Sequence, residues 1–140
     1  MNMRSISDMI CDHKPVTIAK SETVKMACCR MRDCGVGAVL VTDKQNRLLG
    51  IFTGRDAVVR MLAEGRDPAT TAISKVMTPS PKTLSPEMTA IDALRLMHDG
   101  GFRHIPITDQ GKVTGLVSRG DFRGIERARL DDEVELWERL

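Results

Sequence analysis

Apolar positions along the chain follow two periods, and the sequence of periods is written twice. "PVTI", starting at Pro15, reads as a short strand, and a helical stretch from about Thr23 to Asp33 follows it, closed by Cys34-Gly35. Two apolar runs, "VGAVLVTD" and "LLGIFT", flank the short polar turn "DKQNR" and predict a hairpin. The uninterrupted Val39-Leu40-Val41 predicts a strand buried on both faces. A second helix is expected to begin at Asp56 and to end near "EGRDP". The order then recurs. "PKTL" predicts a strand, and a helix spans about Thr89 to Asp99 with Ala90, Ala93, Leu94 and Met97 on its apolar face. Thr89 and Asp92 stand at capping-box spacing, and Gly100-Gly101 stop the helix. "RHIPITD" and "VTGLVS" predict a second hairpin, and a helix is expected from Asp121. The tail "RLDDEVELWERL" puts Leu130, Val134 and Trp137 on one helical stripe, which suits docking on the body or on a second subunit.

Residue by residue, the two halves align. At an offset of 66, Thr17 meets Thr83, Thr23 meets Thr89, Ala27 meets Ala93, Met31 meets Met97, Asp33 meets Asp99 and Gly35 meets Gly101. Thr42-Asp43 falls on Thr108-Asp109, and one extra residue in the first turn changes the offset to 65, after which Gly50 meets Gly115 and Asp56 meets Asp121. The lead-ins "ISDMI" at Ile6 and "ISKVM" at Ile73 match too. The expected organisation is a mixed α/β (α+β) fold of two β-α-β-β-α repeats packed with pseudo-two-fold symmetry: residues 1–68 with the first lead-in, residues 69–128, and an amphipathic helical tail over 129–140. A unit of about 60 residues has little core of its own, so the pair is expected to be the stable entity.

Composition narrows the function classes. The hydrophobic fraction of 41% supports a packed core, but aromatics are 3%, with no Tyr, so that core must be aliphatic. A net charge of +2 without stacking aromatics speaks against nucleic-acid binding. No apolar run reaches the roughly 20 residues of a membrane span. The start "MNMRSISDMI" lacks a signal-peptide core, and the expected compartment is the cytoplasm. Cys11, Cys28, Cys29 and Cys34 show no CxxC spacing. With His13 close to Cys11 they leave a thiol or metal sensor as one alternative; small apolar fillers in a reducing compartment are the other reading. None of GxxxxGK[ST], GxSxG or HExxH occurs, and His13, His98 and His104 have no evident nucleophile partner, so an enzyme is not expected.

Each repeat ends in the same heptapeptide pattern, Gly-apolar-apolar-Thr/Ser-x-x-Asp: "GIFTGRD" at Gly50 and "GLVSRGD" at Gly115. Together with the lead-in "ISKVMTPSPKTLSPEMTAIDAL" and the strand "FRHIPITD", the tandem β-α-β-β-α order closely resembles a pair of CBS (cystathionine-β-synthase) domains over about residues 5 to 125. The resemblance implies a stand-alone regulatory module that binds an adenosine-containing ligand in clefts between the repeats. AMP leads the candidates, with ADP, ATP, NAD(H) and S-adenosylmethionine behind it. It further implies a homodimer and an unidentified regulated protein as partner, while the composition leaves no nucleic acid or membrane among the expected partners. A dimerisation module without ligand is a further alternative.

On that reading the motif residues acquire roles. Gly50 and Gly115 mark close approach of a backbone or ligand. Thr53 and Ser118, with the free N–H groups of the helix start, would donate to phosphate. Asp56 and Asp121 would accept from the ribose diol, since an ionised carboxylate offers several acceptor sites and no donor. A helix N-cap also explains each Asp without any ligand. In related pairs a basic residue at the position of Arg103 or His104 reaches the phosphates, and Arg suits that through its fixed charge and fork. The first repeat has Gly37 and Ala38 there, so the phosphates are expected on the side of Ser118 and Asp121. Arg55, Arg119 and Arg123 lie near the expected phosphate position, and Thr17 and Thr83 begin each repeat where the family often bonds its ligand. The segments Val36–Ala38 and Ile105–Pro106 would pack on adenine or serve equally as plain core.

Overall fold

A computed structural model describes residues 4–11 and 14–122 of the 140-residue chain. The expected tail helix over 129–140, Arg123 and His13 lie outside the described residues. Helix α1 (Ile6–Ile10) is followed by β1 (Thr17–Ala19), α2 (Val24–Cys34), β2 (Ala38–Thr42) and β3 (Leu48–Thr53). Helix α3 (Gly54–Asp56) runs on into a wider π-type turn over Ala57–Leu62. After a 3-10 turn at Ile73–Lys75 come β4 (Thr78–Pro79), α4 (Ala90–Gly100), β5 (His104–Asp109) and β6 (Lys112–Ser118). A 3-10 turn over Arg119–Asp121 ends the described chain's regular structure.

The chain forms two compact units that interleave along the sequence. One takes in Pro15–Lys82 and Thr108–Val113. The other takes in the described residues up to Lys14, Thr83–Ile107, and those from Thr114 onward. Each lead-in therefore packs with the repeat that does not follow it. Ile6 and Met9 share a core with Ala90, Leu94, Met97, Ile105 and Val117. Ile73 and Val76 share one with Ile18, Ala27, Val39, Val41 and Phe52.

In the Pro15–Lys82 unit, β1 pairs parallel to β2, and β3 lies antiparallel to both β2 and β4, in the order β1-β2-β3-β4. Val39, Leu40 and Val41 are 0% exposed, as an uninterrupted apolar run predicts for a strand covered on both faces. β5 and β6 form a hairpin about Gln110-Gly111, both at positive φ (52° and 80°) as a tight two-residue turn requires. The expected strand "PKTL" is reduced to a single parallel bridge, Leu84 to Ile107. The cause is Pro106. Its counterpart Leu40 donates its N–H to Val16 O at 2.9 Å; Pro106 has no N–H to give.

The two long helices match expectation at both ends. Thr23 and Thr89 are the N-caps, Thr89 and Asp92 form a reciprocal capping box, and Gly35 and Gly101 end the helices in the left-handed region at φ 66° and 69°. The helices after the heptapeptides start earlier than expected, at Gly54 and Arg119 instead of at the aspartates.

Candidate functional site

Four Ser/Thr-x-x-Asp segments in the chain fold as capping boxes: Ser5–Asp8, Thr53–Asp56, Thr89–Asp92 and Ser118–Asp121. This changes the reading of the heptapeptides. The N-cap is Thr53 or Ser118, and the aspartate is the third helical residue reaching back to it. Thr53 N–H and its hydroxyl donate to Asp56 Oδ2 at 2.9 and 3.1 Å, and Asp56 N–H donates to Thr53 Oγ1 at 3.3 Å. Ser118 N–H and hydroxyl donate to Asp121 Oδ2 at 2.7 and 3.1 Å. A reciprocal box satisfies helix-end donors by itself, so the recurrence of hydroxyl and carboxylate three residues apart needs no ligand to explain it.

The glycines of the motif likewise have a protein reason. A Cβ on Gly50 would stand 2.5 Å from Met77 Sδ and 2.8 Å from Thr78 O. On Gly115 it would stand 2.8 Å from Ile10 Cδ1 and Cγ2. The close approach is that of a lead-in, within the same unit in each case.

What the boxes leave over differs between the copies. The Asp56 side chain is 14% exposed, and its Oδ1 faces Arg60 Nε at 3.5 Å. Arg60 Nη1 in turn donates to the carbonyls of Val76 and Met77 at 3.2 and 3.0 Å. Arg60 was not among the residues singled out from the sequence, although its place four residues after an acid on a helix is the ordinary signal for such a pair. Asp121 is exposed, and its Oδ1 makes no hydrogen bond among the described residues. Arg4 Nη2 bonds the Asp121 carbonyl at 2.9 Å.

In the second repeat the structure links Arg119 to Arg103 and brings Asp121 within electrostatic reach of His104. Arg119 N–H donates to Arg103 O at 2.9 Å, which sets the Ser118 turn beside the start of β5. Gly54 N–H donates to Gly37 O at 3.1 Å in the corresponding place of the first repeat. Arg103 is exposed and His104 half-buried, on alternate sides of the strand. Burial pushes the His104 imidazole below its ordinary value, with Arg103 adding to that and the Asp121 carboxylate opposing it. Ile105 is 0% exposed and sits in the core with Leu94 and Val117; Pro106 is buried as well. Thr83 is exposed, just before the Leu84 bridge.

In the other unit, Ala38 is 1% exposed, Gly37 and Arg55 are exposed, and Thr17 opens β1 half-buried. A groove of about 560 Å3 lies past the carboxyl ends of β1 and β2, bordered by Lys20, Arg30 and Lys44 among others. Thr17 is the one candidate on its rim, and its carbonyl accepts from Arg30 Nη1 at 2.7 Å. The candidates thus fall into two sets, Thr17, Gly37, Ala38, Thr53, Arg55 and Asp56 in one unit, and Thr83, Arg103–Pro106, Ser118, Arg119 and Asp121 in the other.

Cys11 and Cys34 are exposed, Cys28 and Cys29 half-buried, and burial raises the Cys28 thiol above its usual value, away from the reactive thiolate. Among the described residues no group of three or more His, Cys, Asp or Glu is placed to hold a metal ion, and no helix is long and apolar enough to cross a membrane.

The family model for the CBS domain matches residues 6–63 and again residues 73–126. The chain belongs to the CBS-domain family. CBS-domain proteins are in general regulatory or signal-transduction modules and not catalysts. The CBS domain-containing protein CBSCBSPB3 of Arabidopsis thaliana is 41% identical over 107 residues, 76% of this chain and 19% of that protein. The chain thus spans about a fifth of the length of the plant relatives it matches. The CBS domain-containing protein YhcV of Bacillus subtilis is 34% identical over 119 residues, 85% of this chain and 83% of that protein. Among solved structures, the CBS domain protein PAE2072 from Pyrobaculum aerophilum, complexed with AMP, superposes with a TM-score of 0.81 at 19% identity, covering 91% of this chain and 98% of that one.

Proposed function

We propose that this tandem CBS pair is a regulatory sensor that binds an adenosine-containing nucleotide at its heptapeptide segments and passes the occupancy to a partner protein. AMP is the first candidate, and ADP, ATP, NAD(H) and S-adenosylmethionine are the others to be tested. One observation carries the reading: the exposed Asp121 carboxylate is held in place through Oδ2 by Ser118, within electrostatic reach of His104, in a turn whose Arg119 N–H is bonded to the Arg103 carbonyl. A fixed, exposed acceptor, with a permanent cation on the strand that its turn is bonded to, suits a ribose diol with its phosphate tail. The capping box serves this arrangement, since it preorganises the carboxylate at no further entropic cost to binding. The AMP complex of the Pyrobaculum protein supports the choice of ligand class.

The basic pair divides its work. With its pKa lowered, His104 is neutral at physiological pH and offers a hydrogen bond; Arg103 is the fixed charge for phosphate. A second copy of the chain is the proposed assembly partner, because Val58, Val59 and Leu62 leave one helical turn apolar with exposures of 57%, 51% and 76%. Leu62→Glu is expected to shift the sedimentation of the protein from dimer to monomer.

The test of ligand binding is a thermal melt with AMP, ADP, ATP, NADH and S-adenosylmethionine in turn. A ligand that binds only the native state raises the melting point, by a stabilisation of about 2.7 kcal/mol at a hundred times Kd. Asp121→Asn should remove most of that shift. No shift with any of the five at millimolar concentration would sink the proposal.

A further inference from the structure

We propose that Arg60 is a positioning residue that ties the state of the Asp56 carboxylate to the segment leading into β4, and so makes the first heptapeptide the one that signals. The consequence for signalling rests on the sensor reading above; the coupling itself does not. Three contacts of one guanidinium carry the inference. Its Nε faces Asp56 Oδ1 at 3.5 Å, and its Nη1 donates to Val76 O at 3.2 Å and Met77 O at 3.0 Å. Those two carbonyls belong to the second lead-in, whose Ile73 and Val76 fill the same core as Phe52 and Met61. The segment continues into β4, where Thr78 and Pro79 pair with Ile51 and Gly50, the first residues of the heptapeptide.

The geometry forms a closed circuit. The heptapeptide runs from Gly50 to Asp56; Asp56 holds Arg60; Arg60 holds residues 76 and 77; and residues 78 and 79 return to Gly50 and Ile51. Asp56 Oδ2 is already taken by Thr53, so a new donor must come to Oδ1, the oxygen that faces Arg60. A ribose hydroxyl arriving there competes with the guanidinium or reorients it. Either movement reaches the carbonyls of Val76 and Met77 through one rigid, planar group. The second heptapeptide has no such device at the same spacing: the residue four past Asp121 is Ile125.

Hydrogen exchange of the nucleotide-free, full-length protein tests the coupling. The probes are the amides of Val76, Met77 and Ser80, which donate to Ile73 O, Ile73 O and Leu49 O. Asp56→Asn and Arg60→Met are each expected to speed their exchange by about five-fold or more. The double variant should exchange no faster than the faster single variant, because both changes break one connection. Arg60→Lys, which keeps the charge but not the fork, should fall between wild type and Arg60→Met. Asp92→Asn, which opens a capping box of the other unit, should leave these amides as in wild type. Unchanged exchange in Asp56→Asn, or effects that multiply in the double variant, would overturn the coupling. The same amides are then followed with saturating AMP. If AMP binds, their exchange should change in wild type and not in Arg60→Met; binding without that change overturns the signalling role. If the exchange of the variants is coupled but AMP binds nowhere on the protein, the sensor reading falls while the Arg60 connection stands.

Discussion

Ile10 occupies the space that a side chain on Gly115 would need, with Cδ1 and Cγ2 2.8 Å from where its Cβ would lie. Met77 stands in the same relation to Gly50. Ile10 and Met77 are the last residues of the matched lead-ins "ISDMI" and "ISKVM", and Gly115 and Gly50 open the matched heptapeptides. Each lead-in thus closes on the heptapeptide of the repeat it does not precede. The duplication is completed by exchange, and a repeat cut at residue 68 or 69 would be separated from part of its own core.

The two glycines should differ in how they respond to a methyl group. In Gly115→Ala the obstacle is the side chain of Ile10, and the double change with Ile10→Ala should recover part of the loss. In Gly50→Ala the carbonyl of Thr78 at 2.8 Å is also in the way, so Met77→Ala should not relieve it. Overpacking of this kind costs about 1–3 kcal/mol, readable as a shift in the urea midpoint. Equal rescue of both glycines would contradict the account.

Much of the local structure was legible in the sequence because it is set locally. Thr23, Thr89, Gly35 and Gly101 fix helix ends through bonds within a few residues, and Val39-Leu40-Val41 declares a doubly covered strand. What was not legible depended on partners distant in sequence. Periodicity shows that Ile6 and Ile73 have a buried face, but it does not say which core receives them. "PKTL" has the composition of a strand, and it was Pro106, more than twenty residues away, that withheld the hydrogen bond. At the site, the spacing of Thr53 and Asp56 was plain, yet the same spacing at Ser5 and Thr89 shows that it marks a helix start before it marks a ligand.

The two motif aspartates should separate into one that weighs more in stability and one that weighs more in nucleotide affinity. Asp56 is 14% exposed and engaged through both oxygens, so Asp56→Asn is expected to cost about 1–3 kcal/mol of stability. Asp121 is exposed and engaged through one, so Asp121→Asn should stay within about 1 kcal/mol. Nucleotide affinity should run the other way, with the larger loss in Asp121→Asn. Chemical denaturation and isothermal titration calorimetry on the two variants measure both quantities, and the same ranking in both assays would contradict the division.

His104 gives stability a pH dependence of definite sign. Its folded pKa lies below the unfolded value of about 6.5, so above that pH both states hold the neutral ring and the fold keeps its full stability. As pH falls through 6.5 toward the folded pKa, the unfolded chain takes up the proton first, and stability is lost. His104→Gln should flatten this part of the profile. Urea midpoints at pH 7.5 and 5.5 check it: the drop on acidification should be smaller in the variant, and an equal drop would assign it to other groups.

Arg103 should matter in proportion to the phosphate charge of the ligand. Exposed just before β5 and bonded through its carbonyl to Arg119 N–H, it is a fixed cation on the strand bonded to the Ser118 turn, where the first repeat has Gly37. Arg103→Ala removes the charge and leaves that backbone bond in place, so the fold should be retained. Adenosine, which has no phosphate, should bind the variant as it binds wild type, whereas AMP and ATP should lose about ten-fold or more, as expected for a hydrogen bond to a charged group. The salt dependence of ATP binding should flatten in parallel, because an exposed charge pair is screened by salt. Calorimetric titration of adenosine, AMP and ATP at two salt concentrations measures this. An equal loss for all three ligands would mean that Arg103 acts on the shape of the site and not on the phosphate.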